Sequence, residues 1–222
     1  MKIIGHRGAR GLAPENTIAS FKKALDHKVD GIEFDLRVTK DGIVIVHHDA
    51  ELTDPNGDKH VITDCAYAEL KQHKADMPTF EEVLETIGHP VVLYVEIKPG
   101  VPTAPIVKII KAYLTKGWKP EYFRILSFSQ SILLEMQREL PDIPKIVSEK
   151  WSGVRATRRA RLVGTRQILM NQKWLWWGFI WMVSRGGWEL GTYTLDDPAK
   201  AERWASYGLQ AVFTDFPDRF EK

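Results

Sequence analysis

The chain has 222 residues, of which 44% are hydrophobic and 27% charged, and its formal net charge is +2. These proportions are typical of a soluble globular protein with one large core, and so small a charge argues against a nucleic-acid binder. The single cysteine, Cys65, excludes an internal disulfide, and the longest apolar stretch, residues 174–183, is about half of what a membrane-spanning helix needs.

Short β-rich runs alternate with amphipathic runs along the whole chain. The predicted strands are residues 2–5, 31–36, 91–97, 123–128, 145–148, 167–171, 189–195 and 211–214. The predicted helices are residues 17–27, 79–86, 105–116, 129–139, 177–185 and 197–207. Several follow residues that favour helix starts, namely Asn16 or Thr17, Ser129, and Asp196 or Asp197 ahead of Pro198.

Strands that alternate with helices indicate a parallel sheet built from βα units. Eight such units in a chain of 222 residues predict an α/β fold, a compact TIM (β/α)8 barrel. A doubly wound sheet is the alternative, but no G-x-G-x-x-G pattern follows the first strand. We expect one domain over residues 1–222, since no repeat, low-complexity linker or boundary is visible.

One extended run, residues 43–47, does not fit the count of eight. It follows the second strand after an Asp41-Gly42 pair, and Asp-Gly between β-rich runs favours a hairpin. We therefore expect an antiparallel hairpin that returns His48 to the mouth of the barrel. The hairpin opens a small polar insertion at about residues 38–77.

Polar side chains stand at the ends of the predicted strands, where the active site of a TIM barrel lies. They are His6 and Arg7, Glu33 and Asp35, Glu96 and Lys98, Tyr193 and Thr194, and Asp215. Side chains two apart on a strand, such as Glu33 and Asp35, share a face. Carboxylate oxygens suit Mg²⁺ or Ca²⁺ rather than zinc, and histidines exchange protons near neutral pH. The pattern therefore indicates phosphoester chemistry assisted by a hard metal ion.

The chain resembles the glycerophosphodiester phosphodiesterase family through an ordered series of motifs that covers nearly its whole length. The series is His6-Arg7-Gly8, Pro14-Glu15-Asn16-Thr17, Glu33-Phe34-Asp35, Thr39-Lys40-Asp41-Gly42, Val46-His47-His48-Asp49, Glu96-Ile97-Lys98, Tyr193-Thr194 and Thr214-Asp215-Phe216-Pro217. The resemblance implies a TIM barrel with a small insertion. It also implies hydrolysis of glycerophosphodiesters to glycerol 3-phosphate and an alcohol, with one divalent cation, Mg²⁺ or Ca²⁺.

The resemblance also implies a role for each matching residue. These roles are acid/base catalysis for His6 and His48, metal binding for Glu33, Asp35 and Glu96, phosphate or substrate binding for Arg7, Lys98 and Tyr193, and support for Glu15 and Asn16. Tyr193 stands where the family often has Trp. Residues 52–57 replace the family's usual arginine-rich run after Asp49, so the resemblance does not imply which alcohol is preferred.

Other functions stay open. A lysophospholipase D, or a phospholipase-like lyase that forms a cyclic phosphate, would act on lipid phosphodiesters with related chemistry. An inactive binding protein of the same fold is the alternative from another class. The presence of both histidines and all three acids argues against it.

Several residues outside these roles are interpreted as structural. Alternation places His47 on the opposite strand face from His48. The arginines of residues 155–166 are interpreted as the solvated face of a helix. The remaining histidines, which are His27, His60, His73 and His89, are expected at the surface, and Cys65 is given no role.

The tryptophans of residues 174–181 bear on the partner of the protein. Exposed aromatic side chains beside arginines could contact a membrane surface. We favour the alternative, a soluble enzyme acting on small-molecule diesters without nucleic acid, because the motif series does not itself require a membrane. No signal peptide has room before His6, so a cytoplasmic location is expected if Met1 is the true start.

Overall fold

The structure, a computed structural model, describes residues 1–88 and 91–221. The strands of these residues are β1 (Lys2–Gly5), β2 (Gly31–Val38), β3 (Val44–Val46), β4 (Glu51–Thr53), β5 (Lys59–Val61), β6 (Val92–Ile97), β7 (Phe123–Ser127), β8 (Lys145–Glu149), β9 (Gln167–Asn171), β10 (Glu189–Tyr193) and β11 (Ala211–Thr214). The α-helices are α1 (Ile18–Asp26), α2 (Tyr67–His73), α3 (Phe80–Ile87), α4 (Ala104–Thr115), α5 (Gln130–Glu139), α6 (Gly153–Val163), α7 (Trp177–Arg185) and α8 (Pro198–Ala205).

Parallel pairing closes eight of these strands into a barrel. The order around it is β1, β2, β6, β7, β8, β9, β10 and β11, and β11 pairs with β1 again. Helices lie between successive barrel strands, so the predicted TIM (β/α)8 barrel is confirmed. Every predicted barrel strand is present, with ends that differ by at most two residues.

The barrel strands are apolar on both faces because each face packs against a different core. Inside the barrel lies a small cluster in which the rings of Tyr94 and Phe213 meet edge to face at 5.3 Å. The larger core lies between the strands and the surrounding helices. Because the interior is filled by side chains, the site must form at an end of the barrel.

Capping side chains begin several helices at the predicted residues. The side chain of Thr17 accepts a hydrogen bond at the start of α1, and Ser129 does the same for α5. Asp197 caps α8, whose first residue is Pro198. Each cap satisfies a backbone N–H that has no partner within the helix. Asn16, the alternative cap of α1, takes another role described below.

The insertion has the expected hairpin and one helix that the sequence pattern did not indicate. Strand β3 pairs antiparallel with β2, with Leu36 opposite Val46. Strands β4 and β5 form a second hairpin, and α2 packs on them through a small separate core that includes Leu70. Helix α2 was not predicted because it has only seven residues, of which one is buried. The residue that precedes it, Ala66, offers no capping side chain.

Candidate active site

A cavity of about 810 Å³ opens at the carboxyl ends of the barrel strands. It is lined by eight of the residues singled out from the sequence: His6, Arg7, Glu33, Asp35, His48, Glu96, Lys98 and Tyr193. Closure of the barrel brings them together from positions almost 190 residues apart. The cavity is therefore the candidate active site.

Three buried carboxylates form its floor. Glu33 and Asp35 lie on β2 and Glu96 on β6, with Asp35 in register beside Glu96, and one oxygen of each lies within 4.8 Å of the others. Burial, and then the charge of Asp35, raise the pKa of Glu33 to about 8, and burial also raises the pKa of Glu96. Burial alone would raise the pKa of Asp35 too, but Lys98 and Arg7 lower it to about 2. Such a set of oxygens requires positive charge nearby and suits a hard cation.

The two cations predicted to bind phosphate are paired with acids in this structure. The Nζ atom of Lys98 lies 2.6 Å from Oδ1 of Asp35 and also contacts Glu96. Arg7 donates from Nη1 to Glu15 at 2.8 Å. Its Nε atom is buried 3.4 Å from Asp35 but makes no hydrogen bond within the described part of the chain. This N–H faces Asp35 and is inaccessible from the cavity, so its interaction with that carboxylate is an ion pair without a hydrogen bond.

The backbone has an unusual conformation at two residues next to the carboxylates. Arg7 and Asn16 adopt φ angles of 51° and 57°, in the left-handed region that non-glycine residues rarely enter. The backbone N–H of Arg7 donates to Glu33 at 3.0 Å, and Nδ2 of buried Asn16 donates to Asp35 at 2.9 Å. These bonds orient two of the three carboxylates. Asn16 and Glu15 are therefore not part of the cavity lining, but they hold Asp35 and Arg7, which are.

Each candidate acid/base histidine is held by a carboxylate. The Nδ1 atom of His6 lies 2.6 Å from Asp215, and that of His48 lies 2.7 Å from Asp49. Burial opposes protonation of His6, but Asp215 and Glu33 outweigh it and raise the pKa of His6. Burial lowers the pKa of His48 despite nearby acids. The two rings are therefore biased in opposite directions, one toward holding a proton and the other toward accepting one.

Tyr193, the last residue of β10, stands on the wall of the cavity opposite β6. Its hydroxyl lies 3.4 Å from the carbonyl oxygen of Glu149, and its ring meets that of Phe128 edge to face at 6.0 Å. The next residue, Thr194, places its hydroxyl 3.4 Å from Nδ1 of His6. This wall places the ring faces of Tyr193 and Phe128 beside polar lining side chains such as Gln130 and Asn171.

The interpretation of the arginines near α6 as solvated is wrong for Arg159, whereas Arg155 keeps a solvated position, with its side chain 54% exposed. Arg155 donates from Nε to Glu149 at 2.7 Å, and Arg159, whose side chain is 12% exposed, donates to the carbonyl of Phe128 at 2.7 Å. The reason is Glu149, a buried acid at the end of β8 that needs positive partners. An acid just past a predicted strand, followed by arginines in the first and second turns of a helix, was the available signal.

Three further contacts were not anticipated. Asp49 and Asp215 were visible in the motifs, yet their pairing with the histidines depends on the folded chain. Arg37 donates from Nη2 to the carbonyl oxygen of His48 at 2.9 Å and lines the cavity. This bond fixes the segment that carries His48.

The other histidines differ in environment. His47 points away from the cavity lining, with Nε2 3.3 Å from the carbonyl oxygen of Glu51, in agreement with a structural interpretation. His27 pairs with Glu221 at 2.6 Å and its side chain is 16% exposed, so the expected surface position is wrong for it. His60 and His73 stack on each other and are half-buried, so the prediction that they lie at the surface is wrong for both. His89 lies outside the described residues.

The tryptophans beyond β9 are not covered by the barrel. Trp174, Trp176, Trp177 and Trp181 are 51–63% exposed. The first two follow the carboxyl end of β9, which is the end where the cavity opens. Trp151, 62% exposed, lies on the cavity lining itself. In the described part of the chain no helix has the length and apolar character needed to cross a bilayer.

A (β/α)8 barrel with acids, histidines and an arginine at its mouth defines a class of phosphoester-cleaving enzymes, and sequence comparison identifies the class. Residues 6–219 match the Glycerophosphoryl diester phosphodiesterase family, so the chain belongs to that family. The Glycerophosphodiester phosphodiesterase of Bacillus subtilis (strain 168) is 30% identical, over 99% of this chain and 85% of that protein. The predicted family and phosphodiesterase activity are thereby confirmed.

More distant relatives extend the comparison. The Lysophospholipase D GDPD1 of Rattus norvegicus is 32% identical over 65% of this chain and 51% of that protein. Among solved structures, a phosphodiesterase of Oleispira antarctica, in complex with the product sn-glycerol-3-phosphate, superimposes with a TM-score of 0.87. It is 23% identical and covers 100% of this chain and 97% of its own, which confirms the fold.

Proposed function

We propose that the chain hydrolyses glycerophosphodiesters to glycerol 3-phosphate and an alcohol in a metal-dependent reaction at this cavity. The convergence of three buried carboxylates, two carboxylate-held histidines and an arginine on one cavity carries the proposal. The name of the Bacillus subtilis relative and the product bound by the Oleispira antarctica phosphodiesterase support this substrate class.

Glu33, Asp35 and Glu96 would hold one divalent cation, Mg²⁺ or Ca²⁺. The fit rests on their chemistry, since all three offer oxygen, are buried and have oxygens within 4.8 Å of one another. When bound, such a cation would neutralise the negative charge on the phosphate oxygens. Asn16 would keep Asp35 oriented through its hydrogen bond of 2.9 Å.

Arg7, which lines the cavity, would bind the phosphate through its guanidinium, because a guanidinium can bind two phosphate oxygens at once. Glu15 would hold the other side of the guanidinium. Lys98 would add positive charge at the boundary between the carboxylates and the phosphate. Tyr193 would line the pocket for the glycerol.

His6 and His48 would act as general acid and general base, respectively. Because Nδ1 of each is tied to a carboxylate, Nε2 is the nitrogen left to exchange a proton. His48 would take a proton from the attacking water as its oxygen bonds to phosphorus. His6 would give a proton to the alcohol oxygen as its bond to phosphorus breaks, so both protons are accounted for.

The decisive experiment measures hydrolysis of glycerophosphocholine, glycerophosphoethanolamine and lysophosphatidylcholine with and without chelator. We expect activity to vanish in excess EDTA and to return with Mg²⁺ or Ca²⁺. Glu33→Gln and Asp35→Asn should be inactive yet folded by circular dichroism, whereas Glu81→Gln, an exposed acid on α3, should match the original chain. Full turnover by the metal-stripped protein in EDTA would contradict the proposal.

A lysophospholipase D is the second candidate, favoured by the exposed tryptophans at the cavity end of the barrel. Preference for lysophosphatidylcholine over the two soluble diesters would select it. A cyclic phosphate product would instead identify a lyase, and turnover of any substrate would rule out an inactive binding protein. A cytoplasmic location and a single domain over residues 1–222 stay predictions.

A further inference from the structure

A second group of metal-ligating side chains lies in the insertion, outside the cavity lining. Asp54 follows β4, His60 lies in β5 and His73 is the last residue of α2. One ligand atom of each lies within 4.8 Å of the others. Three elements of the insertion thus meet at one point through side chains able to bind a metal.

The two oxygens of Asp54 have separate partners. Oδ1 accepts hydrogen bonds from the backbone N–H groups of Asn56 at 2.9 Å and Asp58 at 3.0 Å, which fixes the carboxylate in the turn between β4 and β5. Oδ2 lies 3.3 Å from Nε2 of His60 and 3.3 Å from Nδ1 of His73. The side chain is only 4% exposed, and no lysine or arginine of the described residues pairs with it. Its charge is therefore directed at the two imidazoles.

The distances are compatible with a shared metal ion, which would replace the long hydrogen bond between Nε2 of His60 and Oδ2 of Asp54. Both N···O separations are 3.3 Å, beyond the usual range of about 2.7–3.2 Å for an N–H···O hydrogen bond. Bonds of about 2.0–2.1 Å to one tetrahedral zinc ion place its ligand atoms about 3.3 Å apart. The rings stack at 3.9 Å with an interplanar angle of 24°, so one ring must rotate about its side-chain bonds before both nitrogens point at the same ion.

The donor set also differs from that of the cavity. Two imidazole nitrogens and one carboxylate oxygen suit Zn²⁺, whereas the all-oxygen group Glu33, Asp35 and Glu96 suits Mg²⁺ or Ca²⁺. We propose that Asp54, His60 and His73 bind one Zn²⁺ ion, with a water molecule as its fourth ligand. This site is separate from the proposed phosphodiester chemistry.

The place of the site indicates what it does. The insertion has a core of five buried residues, and each strand of its second hairpin has three residues, which is little to stabilise an independent unit. A metal ion would join β4, β5 and α2 as a cross-link and contribute its binding free energy to their folding. Glu51, the first residue of β4, lies two residues past Asp49. The zinc site would thus stabilise the segment that carries His48.

The test distinguishes the proposed zinc site from the carboxylates of the cavity. It uses a background variant, Glu33→Gln with Glu96→Gln, that removes two of those carboxylates. We expect this variant to bind one equivalent of Zn²⁺ in calorimetry and to bind Co²⁺ with the strong visible absorption of a tetrahedral site. Adding His73→Gln should weaken Zn²⁺ binding by on the order of 100-fold or more. Adding His27→Gln, a histidine paired with Glu221 elsewhere, should change nothing.

Thermal unfolding gives an independent readout. Zn²⁺ should raise the unfolding midpoint of the background variant and of its His27→Gln version, but not of its His73→Gln version. The His73 side chain is 33% exposed, so this substitution should leave the metal-free fold intact, and circular dichroism checks that. Zinc binding unchanged by His73→Gln and His60→Gln, or a weak octahedral cobalt spectrum, would overturn the proposal.

Discussion

At the scale of single residues, burial and the surrounding charges shift the pKa values of the two cavity histidines in opposite directions. His6 is buried, which would favour its neutral form, yet Asp215 at 2.6 Å and the charge of Glu33 together raise its pKa. His48 is held by Asp49, whose side chain is 74% exposed, and here burial prevails. An exposed carboxylate is screened by water and stabilises a neighbouring imidazolium less.

Asp215→Asn should therefore lower the pKa of His6, because burial is then opposed by fewer negative charges. If protonated His6 is the general acid, the alkaline limb of the pH–rate profile should move to lower pH. The rate should fall on the order of 10²-fold. The measurement is kcat/KM against pH, with an NMR titration of His6. Asp218→Asn, an exposed neighbour, is the control, and an unmoved alkaline limb in Asp215→Asn would reject the assignment.

His47 and His48 provide a matched pair of adjacent residues. His48→Gln should cost on the order of 10²-fold in kcat, because it removes a group proposed to transfer a proton. His47→Gln should cost far less, since its ring points to the carbonyl of Glu51 rather than into the cavity. Steady-state kinetics on glycerophosphocholine distinguish them. Equal losses in the two variants would mean that the wrong histidine has been chosen.

At the scale of elements, strand β8 and helix α6 are joined by a buried acid. Glu149 accepts hydrogen bonds from Arg155 and Arg159, and the latter also reaches the carbonyl oxygens of Ser148 and Phe128. Although burial would raise the pKa of Glu149, Arg155 and backbone N–H groups lower it to about 2. The ion pairs therefore stabilise this wall of the cavity as long as Glu149 is ionised.

Glu149→Gln should lower the free energy of unfolding at neutral pH by about 1–3 kcal/mol, the cost of weakening the partners of buried groups. Since the native pKa is below the ordinary value, the contribution is complete above about pH 4.5 and is lost as pH falls toward about 2. Urea unfolding of the original chain and the variant at pH 7, 4 and 3 should thus show a narrowing difference. Glu202→Gln, on the exposed side of α8, should show none.

In the insertion, local sequence preferences predicted one element and missed another. Its first hairpin was predictable because Asp41-Gly42 has a strong local preference for a turn. Helix α2 was not, because its seven residues bury only Leu70 and its start has no side-chain cap. Short helices depend on tertiary contacts more than on propensity.

At the scale of the whole molecule, exposed aromatic side chains gather at one end and along one side of the barrel. Trp151 lies on the cavity lining, Trp174 and Trp176 follow β9, and Trp177 and Trp181 continue along α7. Lys150 and Lys173 are neighbours of these side chains in the chain. This combination is typical of surfaces that contact lipid headgroups.

If this surface binds lipid, the protein should sediment with anionic vesicles at low salt. Trp176→Ala combined with Trp177→Ala, or high salt, should abolish the sedimentation, because apolar insertion and charge attraction would both contribute. Leu134→Ala, which removes an exposed apolar side chain of α5, is the control. Absence of binding at low salt, with full activity on glycerophosphocholine, would assign the protein to soluble diesters.

The sequence by itself determined the barrel and the residues of its mouth. Eight apolar strands alternating with capped amphipathic helices leave few ways to bury both strand faces, and polar residues at strand ends must then meet at one mouth. Tertiary structure alone decided which polar groups touch. Examples are His6 with Asp215, Glu149 with Arg159, and Asp54 with His60 and His73. These contacts depend on strand register, barrel closure and side-chain direction, which no local preference specifies. The exposure of the tryptophans likewise depends on which surfaces the folded barrel covers.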